Sequence, residues 1–267
     1  MSRLNHPVIG QYIPADSFLH RLDPRAKLVF VFVFMMIVFL AKNAAGYSLL
    51  VGVALSGVLL SRIPLPMILR GIKPVLYLII LTALLHLGMT RGGDVWWELG
   101  PITVYEQGVV QATVISLRFL ILVLMGTLLT LTTSPMELTD GLERLLCPLT
   151  RVGVPAQDLA LMMSIALRFI PTLWEEMDKI MMAQRARGAD FDSGHLLRRV
   201  KSYIPVLIPL FISAFRRAEE LALAMEARGY RGGKGRTRIR ELRWKKEDTI
   251  LLVVLAVLSI SLWWLRG

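Results

Sequence analysis

A single cysteine, Cys147, rules out an intramolecular disulfide, and the residue is expected to serve as packing. Four histidines, His6, His20, His86 and His195, are scattered without ligand-like spacing, so no metal site is assigned. No cleavable signal peptide is expected, because charged and polar residues recur through the first 27 positions. A nucleotide loop is missing too. The glycine-rich stretch Gly229 to Gly235 has Arg228 before it and Gly235 after Lys234, where a phosphate-binding loop needs an earlier glycine and a following Ser or Thr. No nucleophile stands with a base, so the chain carries no catalytic and no cofactor-binding residue. Any ATP-driven work has to come from another polypeptide.

What the chain has in abundance is apolar surface: 55% of its residues are hydrophobic and the mean hydropathy is +0.57. That composition fits an integral membrane protein. Leu28 to Ala41, Ala44 to Ser61, Pro74 to Met89, Gly108 to Leu131 and Thr249 to Leu265 are the expected spans, near the ~20 residues that cross a bilayer core. The first is short. Lys27 and Lys42 can snorkel from its ends, and a re-entrant hairpin over residues 28–61 is the alternative. Either version returns the chain to the same side.

Basic residues are spread unevenly between the two sides. Twenty-seven of them fall with the amino terminus, the loop after Ser61 and the long segment from Ser134 to Glu247; Lys42, Arg91 and Arg266 fall opposite. The positive-inside rule puts the amino terminus and the long segment in the cytoplasm, with Trp263 and Trp264 as an interfacial anchor at the other face. Arg118 interrupts an apolar span, where a charge is costly unless it faces protein. A backbone carbonyl, a polar group such as Thr82 or Ser116, or another subunit is its expected partner.

The resulting organisation is a membrane module over residues 1–133, a cytoplasmic module over 134–247 and a final span over 248–267. Ser134-Pro135-Met136-Glu137 reads as a helix start, with cap, proline at the first position and acid, for a helix running to about Leu146. Two helical arms follow. In the first, Leu159, Met162, Met163, Ala166, Phe169 and Ile170 form a stripe that continues through Trp174, Met177, Ile180 and Met181 past a kink at Pro171. The second is expected to begin near Ser193 and to be interrupted by Pro205 and Pro209. Its Val206 to Ile212 stretch is too short to span, and is read as buried against the membrane module or at the interface. The doublets Glu175-Glu176 and Glu219-Glu220 read as solvated faces or helix–helix ion pairs.

Both arms end in the same triplet: Ala186-Arg187-Gly188 and Ala227-Arg228-Gly229, each extended upstream to Ala-x-x-Ala-Arg-Gly. One copy reads as an ordinary helix end, with alanine for the helix, arginine for the negative pole and glycine for the left-handed turn. The cap also holds the arginine at a rigid tip, where its planar fork can reach carboxylates or carbonyls. Two copies on one chain point to a partner with two equivalent sockets. Met162, Met163, Met177 and Met181 offer an adaptable apolar surface; core filling is the competing reading. Nine basic residues and one acid between Arg228 and Lys246 fit anionic lipid better than nucleic acid, since Trp244 is the only aromatic from Lys234 to Lys246.

Ser134 to Leu142, Leu167-Arg168-Phe169-Ile170-Pro171, Ala183 to Ala189 and Met225 to Tyr230 together resemble the transmembrane T-component of energy-coupling factor transporters, prokaryotic ATP-driven uptake systems. The resemblance covers most of the chain. It implies an all-α integral membrane protein of about five transmembrane helices plus a module of long amphipathic coupling helices, in the cell membrane. It also implies two ABC-type ATPase subunits, different or a homodimer, docked by Arg187 and Arg228. ATP and Mg would then be held by those partners, with none in this chain. A membrane-embedded substrate-binding S-component would be moved in turn and contacted by the four methionines, with vitamin uptake preferred over cobalt or nickel. The alternative is a membrane scaffold or receptor whose basic arms recruit a cytoplasmic partner or anionic lipid; it accounts for the charge but not for the doubled triplet. A self-contained secondary transporter would place repeats among its spans, and here the repeat is in the arms.

Overall fold

Asp23 and Pro24 open the first long helix: the Asp23 carboxylate accepts from the Arg25 N–H at 2.9 Å, and proline occupies the first helical position. The computed structural model describes residues 12–13, 15–99, 102–152, 155–191, 195–230, 232 and 244–265. In chain order these form α1 (Phe18–Arg21), α2 (Pro24–Val38), α3 (Ala44–Ser61), α4 (Leu65–Met89), β1 (Val95–Leu99), β2 (Ile102–Tyr105), α5 (Glu106–Thr132) and α6 (Pro135–Leu146). A 3-10 turn (Cys147–Val152), α7 (Ala156–Ala186), α8 (Leu196–Ala227) and α9 (Lys246–Leu265) complete the chain. The fold is all-α apart from the β1–β2 ribbon, an antiparallel pair running from Val95 opposite Tyr105 to Leu99 opposite Ile102. The residues form two units, 1–144 with 242–267, and 145–241.

Four of the five expected spans coincide with helices long and apolar enough to cross a membrane: α3, α4, α5 and α9. The third begins earlier than expected, because the helix continues through Pro74 back to Leu65. The first expected span differs. Its helix, α2, has 15 residues and reaches about 22 Å, short of a hydrocarbon core of about 30 Å. The fifth helix that qualifies by length and composition is α7, which the sequence places among the arms; its mean hydropathy of 1.2 is the lowest of the five. The cause is uneven composition: the half before Trp174 is rich in Leu, Met and Ile, while the acids and bases gather from Glu175 onward.

The first unit has a continuous core. Phe34, Leu50, Ile121 and Leu262 are fully buried on α2, α3, α5 and α9. Two buried charged groups, Asp248 and Lys27, tie helix ends together through hydrogen bonds, as burial demands. The Asp248 carboxylate, wholly buried, accepts from the N–H groups of Asp23 and Lys245, each at 2.8 Å, joining the start of α2 to the start of α9. The Lys27 ammonium donates to the Thr132 carbonyl at 3.0 Å and the Thr133 hydroxyl at 3.3 Å, joining α2 to the end of α5.

The expected helix start at Ser134 has the reciprocal capping arrangement: the Glu137 N–H donates to the Ser134 hydroxyl at 3.3 Å, and the Ser134 N–H donates to the Glu137 carboxylate at 3.2 Å. Gly141 then lies against α2, where an added Cβ would stand 3.0 Å from the Pro24 Cβ. Cys147, expected to be a packing residue, is exposed. It sits in the 3-10 turn that ends α6 before Pro148, where the chain has left the core. Trp263 and Trp264 are exposed on α9, as an interfacial anchor requires.

Candidate functional site on two arginine-tipped helices

The two triplets close α7 and α8 with one geometry. Arg187 is the last residue before the turn at φ −86°, ψ 5°, and Arg228 stands at φ −86°, ψ 7°. Gly188 and Gly229 follow in the left-handed region at φ +88° and +74°, a conformation costly to any residue with a Cβ. On α7 the Gly188 N–H donates to the Arg185 carbonyl at 2.9 Å and the Ala189 N–H to the Gln184 carbonyl at 3.0 Å. On α8 the Gly229 N–H donates to Glu226 at 2.8 Å and the Tyr230 N–H to Met225 at 3.0 Å. Both are Schellman ends. Ala186, Arg187, Gly188, Ala227, Arg228 and Gly229 are all exposed, and a Cβ on either glycine would meet open space. The backbone at each tip is therefore satisfied internally, leaving the guanidinium at its edge.

Within their unit the arms pack in antiparallel register. The Ser213 hydroxyl donates to Glu176, whose other carboxylate oxygen receives the Arg217 guanidinium at 3.0 Å. Two turns further along α7 and two turns back along α8, the Gln184 side-chain amide donates to the Pro205 carbonyl at 3.4 Å. That carbonyl is an orphan of the sequence: its helical donor would be residue 209, a proline with no N–H. Gln184 supplies the missing partner from the neighbouring helix. After the first tip the chain folds back, with Phe191 buried at 5.2 Å from the Tyr203 ring and 5.8 Å from the Arg185 guanidinium. The Arg199 side chain also donates to the Phe191 carbonyl at 3.3 Å.

This register sends the tips in opposite directions. Arg187 lies just past Gln184, at the Pro205 end of the pair, while Arg228 lies far past Ser213 at the other end. At 1.5 Å per residue the separation reaches up to about 40 Å along an antiparallel pair.

The first arm continues through Pro171, as its stripe implied, and the second is one helix through Pro205 and Pro209, which corrects the expectation that those prolines interrupt it. Flanking turns carry the helix past each missing donor. Ser193 and most of the basic stretch between Arg228 and Lys246, including the tested glycine-rich loop beyond Gly232, lie outside the described residues, as do Arg3, His6 and Arg266. Met162 and Met163 are exposed, whereas Met177 and Met181 are half-buried. The Val206 to Ile212 stretch divides: Val206 is buried, but Leu207, Ile208, Phe211 and Ile212 are exposed. Arg118 faces protein as expected and pairs with a polar group, donating to the Tyr47 hydroxyl at 2.8 Å with its guanidinium 5.2 Å from the Phe39 ring. Among the described residues no group of three or more His, Cys, Asp or Glu could hold a metal ion.

Residues 15–239 match the family model CbiQ, described as a cobalt transport protein. The chain is 58% identical over 98% of its length to the energy-coupling factor transporter transmembrane protein EcfT of Brevibacillus brevis, covering 99% of that protein. It is 54% identical to the EcfT of Bacillus subtilis and 53% identical to that of Listeria innocua, each over 97% of this chain and 98% of the relative. The chain belongs to this family of energy-coupling factor transporter transmembrane proteins. It is a multi-pass membrane protein and a transmembrane component of a transporter.

The chain carries one feature that its sequence pattern did not reveal and one that it revealed only in kind. One is an exposed apolar stripe on α8, Leu197, Val200, Ile204, Ile208, Phe211 and Phe215. Its three-four spacing was readable, but two prolines obscured the continuity of the helix. The other is the Glu176–Arg217 pair: a helix–helix ion pair was one of the two expectations for the Glu175-Glu176 doublet, and the register supplies the partner.

Proposed function

We propose that the chain is the coupling subunit of an ATP-driven uptake transporter, with Arg187 and Arg228 docking two ABC-type ATPase subunits. The observation that carries this reading is the matching construction of the two tips: equal backbone angles, equal hydrogen bonding and exposed arginines at opposite ends of one helix pair. A guanidinium on a rigid helix end presents a planar set of donors to carboxylates or carbonyls at little entropic cost. Two such tips up to about 40 Å apart suit two sockets better than one. Closure of the ATPases on ATP and Mg, both held by those partners, would then shift α7 against α8.

The arms pass that movement to a membrane-embedded S-component that holds the substrate. Met162 and Met163, with Met177 and Met181 at the edge of the same arm, are the proposed contact, and the α8 stripe extends it. The basic-residue count supports a reading with the amino terminus and both arms in the cytoplasm of a prokaryotic cell, an arrangement that needs the short α2 to cross together with α3. A vitamin is the proposed cargo; the matched family's description names cobalt, the competing one. Cells carrying the Arg187→Ala, Arg228→Ala variant should insert the protein normally but fail to retain ATPases or take up substrate. Normal uptake with ATPases still copurifying would remove the docking assignment.

A further inference from the structure

The two arms match beyond their tips. Glu176 stands eleven residues before Arg187, and Arg217 stands eleven residues before Arg228. Counted from the same arginines, Thr172 corresponds to Ser213, Trp174 to Phe215, and the acidic doublet Glu175-Glu176 to the basic doublet Arg216-Arg217. In an antiparallel pair of like helices, corresponding positions meet near the middle and nowhere else. Here the middle is where the Glu176 carboxylate receives both the Arg217 guanidinium and the Ser213 hydroxyl. The repeated device is thus joined to itself at equivalent positions, by a residue pair whose charges have been inverted.

We propose that Glu176 is a positioning residue for coupling: with Arg217 and Ser213 it fixes the point where the arms cross, so that movement at one tip is delivered to the other. Resting on the coupling role proposed above, this assigns a function to a pair that adds little as surface electrostatics. Its side chains are 24% (Glu176) and 38% (Arg217) exposed, a setting in which ion pairs contribute specificity more than stability. Opposite charge at matched positions favours α7 against α8, whereas either arm against its own kind would oppose like charges. It also sets register. A slip of one turn would leave Glu176 with at most one of its two partners, which stand a turn apart on α8, and would leave the Pro205 carbonyl without Gln184. Trp174, half-buried, and Phe215, exposed, stand at matched positions two residues before Glu176 and Arg217.

The test uses Glu176→Arg, Arg217→Glu and the charge exchange that combines them. The full-length chain, in a Cys147→Ser background, carries spin labels at the exposed positions Met182→Cys and Leu207→Cys. Interlabel distances are measured on the chain alone in detergent and on the complex with ATPases and S-component. Each single variant should broaden the distance distribution and lower substrate uptake per ATP hydrolysed about tenfold, while the ATPases still copurify. The exchange should restore both. Unchanged distances in the single variants, disturbed distances with normal uptake per ATP, or an exchange that recovers neither readout would each overturn the proposal. If no ATPase copurifies with the unaltered chain, the coupling reading fails separately, and the detergent measurement still decides whether the clasp sets the crossing.

Discussion

The two arms are alike at their ends and opposite in their middles. At the tips, α7 and α8 share backbone angles, Schellman hydrogen bonds and an exposed Ala-Arg-Gly triplet. At the crossing, one presents Glu176 and the other Arg217, and the one interior proline of α7 faces a helix with two. Identity at the ends is what a pair of equivalent partners demands; complementarity in the middle is what two helices need to recognise each other. On the proposed reading an arm's end serves a separate protein, and its middle the other arm.

The most damaging way to break this likeness is at one end only. Arg187→Ala or Arg228→Ala alone should weaken ATPase docking at that tip by about 10- to 100-fold, the cost of a charge-assisted contact of about 1.5–3 kcal/mol. Titration of labelled ATPase onto the reconstituted chain would report it, and equal losses are expected from the two variants. Next in size is the turn behind each arginine. Gly188→Ala or Gly229→Ala places a Cβ at φ +88° or +74°, at about 1–2 kcal/mol. Amide exchange at Ala189 or Tyr230 should therefore accelerate at least about fivefold, with the other tip unaffected.

The middle should respond more gently and with pH. The Ser213 hydroxyl, followed by the Arg217 charge, holds the Glu176 carboxyl below its ordinary value. Its contribution to arm pairing is complete above the ordinary carboxylate range and disappears as pH falls through the lowered value. Interlabel distances in the wild-type chain should broaden on acidification, and Glu176→Gln should abolish that dependence. Smallest of all is Gln184→Leu, which returns the Pro205 carbonyl to solvent and should cost about 0.5–1 kcal/mol of arm stability in chemical denaturation.

Much of this molecule was legible because simple patterns carry it. Long apolar runs located α3, α5 and α9, the Ser134-to-Glu137 signature located α6, and Ala-Arg-Gly located both arm ends. What escaped depends on relations between distant residues. The sequence treated prolines as breaks, yet Pro205 and Pro209 sit inside a continuous helix whose orphan carbonyl is met by Gln184 from another element. Arg118 was expected to meet a carbonyl, a polar group or another subunit, but only the fold identifies that group as Tyr47, seventy-one positions away. The β1–β2 ribbon was missed because two short strands among apolar helices leave little periodic signal, although Val, Trp, Ile and Tyr favour strands. Glu176 and Arg217 were visible as charges, but only register makes them partners.

On the proposed reading the two arginine tips are equivalent handles, each docking one ATPase. Native mass spectrometry of the purified complex counts ATPase subunits per chain directly. Two are expected on the unaltered chain, one on Arg187→Ala, one on Arg228→Ala and none on the double variant. A double variant that still carries two ATPases would contradict the claim.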